Sequence, residues 1–151
     1  MESIESFKVD HRKIEVGLYI SRKDYDIVTY DLRFKKPNTD DLLDNATIHS
    51  IEHMFATLAR NSNFKDSIIY FGPMGCQTGF YLLVKSMSDI DVIGLVKETL
   101  VNIVNYHGEM VGKSEIECGN YKNLDLALAK AECGRYYDAI INCGISDLKY
   151  R

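Results

Sequence analysis

The sequence predicts an α+β fold, an antiparallel β-sheet packed against helices, in one domain spanning residues 1–151. Three observations lead there. A period-two apolar pattern marks a hairpin near the N-terminus. Two short apolar runs around a glycine-bearing turn mark a second strand pair. Three longer stretches carry helical periodicity. Adjacent strands joined by short loops pair antiparallel, and the apolar faces of sheet and helices bury one another. A chain of 151 residues is long enough for one proper core.

The elements follow in order. Residues 17–35 form the hairpin: in "IVTYDLRFK", Val28, Tyr30, Leu32 and Phe34 alternate with Thr29, Asp31, Arg33 and Lys35, the pattern of a strand with one buried face. "SRKDYD" is the turn region, and "KPNTDDLLDN" is a loop. Residues 46–61 read as a helix, because Ile48, Ile51, Phe55, Leu58 and Ala59 recur at helical spacing. "SIIYFGP" and "GFYLLVKS" are strands joined around "MGCQTG", where the glycines either side of Cys76 permit a tight turn. "MSDIDVIGLVKETLVNIVNYH" is a strongly apolar helix, whose Ser88 and Asp91 resemble a capping box with Asp in place of Glu. "GEMVGKSEIECGNYKN" is a loop, with a short strand near Cys118 as an option. "LDLALAKAECGRYYDAIINCG" is helical, and Gly134 is expected to interrupt it.

Composition narrows the function. A net charge of −4, without any lysine/arginine block, speaks against nucleic acid or an anionic membrane as the main partner. No apolar run approaches the roughly 20 residues of a membrane-spanning helix. The N-terminal "MESIESFKVDHRK" is charged where a signal peptide is apolar. A cytoplasmic location is therefore expected, with Cys76, Cys118, Cys133 and Cys143 as reduced thiols open to metal or catalytic work.

The chemistry concentrates in "TIHSIEHMFATLAR". On a helix, His49, Glu52 and His53 project from one face. Two imidazoles one turn apart can share a divalent metal, and a carboxylate beside them can move protons. H-x-x-E-H is also the inverted zinc-protease pattern, and the same residues can simply form a polar helix face. A catalytic metal needs a third protein ligand and an open position. Cys118, in the glycine-flanked "ECGNY", suits that role as well as it suits a structural one. Cys133, in a helix beside alanines, reads as a buried structural thiol. Cys143 has no assignment, and His107 follows an apolar helix whose C-terminus it can favour. Cys76 sits in a turn, where a nearby cation would promote its thiolate. Acid/base work beside a metal and nucleophilic attack both remain open for it.

Together, "ESFKVDH", "YDLRFKKPN", "TIHSIEHMFATLAR", "GPMGCQTGFY" and "ECGNYKNLDL" resemble the consecutive motifs of the S-ribosylhomocysteine lyase (LuxS) family of autoinducer-2 synthesis, from the N-terminus to about residue 133. The resemblance implies His49, His53 and Cys118 as metal ligands. The metal would be Fe(II) natively, with Zn(II) or Co(II) able to substitute. It implies Glu52 and Cys76 as acid/base residues, Ser6, His11 and Arg33 at the ribose end of S-ribosylhomocysteine, and Arg60 near its homocysteine end. It further implies a homodimer with sites at the interface, into which Ser6 and His11 reach from the neighbouring subunit. One stretch departs from the pattern: many relatives carry aspartate-isoleucine-serine before "PMGC", where this chain has Tyr70, Phe71 and Gly72. Substrate contacts, rather than the type of reaction, are where that departure would act.

Two rival readings stand beside the resemblance. An inverted zinc protease would take a downstream glutamate as third ligand, and Glu98 in "LVKETL" is the available one. A non-catalytic dimer with a structural metal would close its site with a fourth protein ligand.

Overall fold

The computed structural model describes residues 1–151. In chain order the elements are α1 (Glu5–Lys8), β1 (Gly17–Asp24), β2 (Ile27–Arg33), α2 (Asn45–Ala59), β3 (Ile68–Pro73), β4 (Gly79–Lys85), α3 (Asp89–Val104) and α4 (Leu126–Ile140). The four strands make one sheet in the order β1-β2-β4-β3, with every neighbouring pair antiparallel. β1 continues through Asp24, so the first turn is tighter than "SRKDYD" and bends at Tyr25, at φ 58°. No helix is long and apolar enough to cross a membrane.

One face of the sheet carries the core. Leu18, Tyr30, Leu32, Phe34, Phe80, Leu82 and Val84 lie there, at most 5% exposed. α2, α3 and α4 cover them with Ile51, Phe55, Val92, Val96, Leu100, Cys133 and Tyr136. Phe34 stacks on Tyr136 with ring centres 4.0 Å apart, and Phe71 lies between Phe55 and Phe80 at 4.2 and 5.0 Å. Burial of this kind contributes about 1.5–3 kcal/mol per large apolar side chain. Each long helix starts on a side-chain cap: Asp44 accepts from the Thr47 N–H, Ser88 from Asp91 and Asp125 from Ala127. The Asp125 N–H also donates to Ser50 Oγ at 2.8 Å, which fastens the start of α4 to α2.

Three further expectations are corrected. α4 runs unbroken through Gly134. A Cβ at Gly134 would stand 3.7 Å from Val104 Cγ2, so the residue lies where α4 packs on α3. Tertiary packing by Cys133 and Tyr136 outweighs the roughly 1 kcal/mol that glycine costs a helix. The Cys118 loop consists of turns and a 3-10 turn at Tyr121–Asn123, without a strand. The polar face of β2 is also buried: Asp31, Arg33 and Lys35 are 0%, 2% and 7% exposed. Buried charges need partners. Arg33 pairs with Asp31, and Lys35 with Asp41 and Glu132.

Candidate active site

α2 supplies the first part of the site. Its apolar stripe of Ile48, Ile51, Met54 and Phe55 faces the core. His49, Glu52 and His53 consequently lie together along a half-exposed flank. The imidazole centres of His49 and His53 are 4.6 Å apart.

The loop after α3 brings the third group. His49, His53 and Cys118 each offer a ligand atom, all within 4.8 Å of one another. Cys118 Sγ lies 3.3 Å from His49 Nε2. A tetrahedral centre with ordinary metal–nitrogen and metal–sulfur bonds sets such a pair about 3.5 Å apart. The remaining ring nitrogens are committed elsewhere. His53 Nδ1 is 3.0 Å from the Val111 carbonyl, which can only accept, so Nδ1 carries the proton. His49 Nδ1 is 2.5 Å from Asn123 Oδ1, and Asn123 Nδ2 donates to Asn45 Oδ1 at 2.6 Å. Both histidines thereby present a bare Nε2, the arrangement that outer hydrogen bonds give to metal-binding imidazoles. Two imidazoles and one thiol, without a fourth protein group, fit a divalent metal with an open position. Glu98 does not join them; it is exposed on α3.

Cys76 lies in the turn between β3 and β4 and is exposed. That turn is strapped to the start of α2: Leu43 N–H donates to the Gln77 carbonyl, and Gln77 Nε2 donates to the Leu43 carbonyl. A cleft of about 330 Å³ separates Pro73, Met74, Gly75 and Gln77 from Asn45 and Ile48 on α2. Cys76 Sγ is 2.9 Å from Thr78 Oγ1. Arg33 Nη1 donates to that same hydroxyl at 2.8 Å, while its Nε and Nη2 grip Asp31 at 3.1 and 2.6 Å. Burial works against the Arg33 charge, and the Asp31 carboxylate more than offsets it, so the guanidinium is held above its ordinary value. Tyr150 donates to Asp31 Oδ2 at 2.6 Å, and its own hydroxyl is pushed up by burial and by that carboxylate.

The other expected residues have local partners of their own. Ser6 is on α1, which packs on the edge strand β1, and His11 Nδ1 pairs with the Val9 carbonyl at 2.9 Å. Both are half-exposed, and within one protomer neither hydrogen-bonds to the histidines, Glu52, Cys76 or Cys118. Arg60 caps the far end of α2 and donates to the Ile69 carbonyl at 3.0 Å. In the departing stretch, Phe71 is core while Tyr70 is 53% exposed.

Sequence reasoning overlooked Asn123, Asn45, Thr78 and Gly112. Asn123 was visible only as a polar loop residue five places after Cys118. Gly112 has φ +68°, and a Cβ there would stand 2.7 Å from His53 Nδ1, so glycine keeps that side of the imidazole clear.

Fold and site together define an α+β protein with a two-histidine, one-cysteine trio that could hold a metal. The chain belongs to the S-ribosylhomocysteinase (LuxS) family, whose profile matches residues 4–145. It is 44% identical to the S-ribosylhomocysteine lyase of Finegoldia magna, with 99% of each chain covered. It is 43% identical to that of Desulfotalea psychrophila, again with 99% of each covered. With the enzyme of the same name from Phocaeicola vulgatus the identity is 38%, over 99% of this chain and 97% of the other.

Proposed function

We propose that this protein is an S-ribosylhomocysteine lyase, a carbon–sulfur lyase that yields homocysteine and the autoinducer-2 precursor 4,5-dihydroxy-2,3-pentanedione. The observation that carries the reading is the His49–His53–Cys118 trio in a chain matched by the family over nearly its whole length. His49, His53 and Cys118 would hold a divalent metal, Fe(II) in the native protein with Zn(II) or Co(II) as substitutes, which would supply Lewis-acid polarisation of a sugar carbonyl.

The chain's own residues handle the protons. The aldose must become a 2-ketose and then a 3-ketose, and each shift removes a proton from a carbon beside a carbonyl. Cys76 Sγ, on the turn, and the Glu52 carboxylate, on α2, act as the acid/base pair that exchanges protons between neighbouring carbons and oxygens. With the carbonyl at C3, the C4 proton is acidic. Its removal forms a double bond to C5 and breaks the C5–sulfur bond, and the homocysteine thiolate takes up a proton. No electron acceptor is needed, since the products together contain the atoms of the substrate.

Arg33, with Ser6 and His11 of the neighbouring subunit, would hold the ribose end, and Arg60 the homocysteine end. A homodimer with shared sites, as in the family the chain resembles, would bring the half-exposed Ser6 and His11 of one subunit to the site of the other. Charge and cysteine usage favour a cytoplasmic enzyme with reduced thiols.

A cobalt-substituted sample tests this against both rivals. Adding S-ribosylhomocysteine should change the cobalt absorption spectrum, because an open position accepts the substrate. A spectrum indifferent to substrate would favour a closed structural site. Cleavage of peptides would favour the protease.

A further inference from the structure

Arg33 and Cys76 do not meet directly; Thr78 stands between them. We propose that Thr78 is a positioning residue for Cys76: its hydroxyl accepts from Arg33 and donates to Cys76 Sγ, holding the sulfur in place and favouring its thiolate. This inference rests on the reading of Cys76 as a proton-transfer residue.

Donor arithmetic fixes the direction of the bonds. Arginine can only donate, so Thr78 Oγ1 is the acceptor of the 2.8 Å bond from Arg33 Nη1. Thr78 is 2% exposed, which leaves its hydroxyl proton out of reach of bulk water. Cys76 Sγ, at 2.9 Å, is its only other hydrogen-bond partner. A buried hydroxyl that donated to nothing would be costly, so the proton points at the sulfur. A donor aimed at an ionisable group favours its charged form.

The hydroxyl is also prevented from turning away. The Phe34 and Lys35 N–H groups both donate to the Thr78 carbonyl at 2.9 Å, pinning its backbone to the end of β2. Gln77, at φ 64°, bends the chain so that residues 76 and 78 converge. Behind Thr78, Asp31 clamps Arg33 with both carboxylate oxygens and is itself capped by Tyr150. Two ionisable side chains interact electrostatically with the Cys76 thiol, Arg33 from β2 and Tyr81 from β4. Arg33 is the cation of the two, and Thr78 is the group through which it reaches the sulfur.

The experiment uses the full-length, cobalt-loaded protein and the variants Thr78→Val and Thr78→Ser. The rate of Cys76 alkylation by iodoacetamide near neutral pH is read by peptide mass spectrometry, and turnover of S-ribosylhomocysteine by kcat and KM. Thr78→Val should slow Cys76 alkylation about ten-fold, the effect of one hydrogen bond to a charged group. It should lower kcat similarly, with the cobalt spectrum little changed. Thr78→Ser should restore both rates.

Parent-like alkylation and kcat in Thr78→Val would overturn the proposal. So would a serine variant as slow as the valine one, which would trace the effect to the methyl group. If the valine variant does not fold, Thr78→Ala carries the same expectation and the same refutation. Alkylation does not depend on turnover, so the two readings separate. Slowed alkylation in Thr78→Val beside a parent that releases no homocysteine would remove the reaction but uphold the hydrogen bond. Parent-like alkylation beside active enzyme would remove the role of Thr78 alone.

Discussion

Replacing Asp31 by asparagine removes one charge from the most deeply buried ion pair in the protein. Asp31 is 0% exposed, the Arg33 side chain 3%, and the carboxylate accepts three hydrogen bonds, from Arg33 Nε, Arg33 Nη2 and Tyr150 Oη. Asparagine keeps one acceptor oxygen and puts an NH2 group where the second stood. The Tyr150 hydroxyl can turn to accept from it, but the guanidinium cannot, so a donor faces a donor beside an uncompensated charge. Breaking a buried pair on one side costs about 3–5 kcal/mol. For a domain of this size that lowers the melting temperature by about 6–20 °C, taking roughly 2–4 °C per kcal/mol. Urea unfolding at fixed protein concentration measures it. The double variant Asp31→Leu/Arg33→Met, which removes both charges, should lose less than the single one. On the surface, Arg22 and Asp24 form a pair of similar length that is about half exposed, and Asp24→Asn should leave the midpoint unchanged. A loss below about 1 kcal/mol for Asp31→Asn would refute the claim that this pair is uncompensated once broken.

Three further outcomes follow from the site and its supports. Asn123→Ala removes the partner of His49 Nδ1 and should weaken cobalt or zinc binding about 10–100-fold in competition with a chelator; unchanged affinity would show that Asn123 does not orient the ring. Gly112→Ala crowds His53 and forces alanine into a positive φ, so it should lower both stability and metal affinity; wild-type values for both would contradict the described contact. Asp44→Ala deletes the cap of α2 and should cost about 1 kcal/mol at neutral pH. The Thr47 hydroxyl, then its N–H, hold the Asp44 carboxyl below its ordinary 3.8. The cap's contribution is therefore fully present above that value and fades as pH falls through the lower folded one. A difference between wild type and Asp44→Ala that stays constant down to acid pH would contradict this sign.

The core was legible because its signals are local. Alternation placed Tyr30, Leu32 and Phe34 on one face of β2, and helical spacing set His49, Glu52 and His53 on one flank. What escaped depends on distant chain segments. Asp31 and Arg33 look like a solvent face until Tyr150, 119 residues away, covers the carboxylate. The partner of His49 Nδ1 is Asn123, which reaches it from 74 residues away. Thr78 is only two residues from Cys76, but residues at that spacing share a face only in extended chain, and the left-handed Gln77 between them follows no such rule. Gly134 misled in the opposite direction, since its local penalty is overridden by packing against Val104.

On the proposed function, Cys76 and a metal on His49, His53 and Cys118 together release homocysteine from S-ribosylhomocysteine. The most direct measurement is thiol release from that substrate by protein purified without oxygen and loaded with iron or cobalt, with Cys76→Ala and His49→Ala alongside. Homocysteine and 4,5-dihydroxy-2,3-pentanedione should appear in equal amounts from the parent. None should come from Cys76→Ala, which should still hold its metal, and none from His49→Ala, which should not. A folded, metal-loaded parent that releases no homocysteine, or a Cys76→Ala variant that releases it at the parent's rate, would contradict that function.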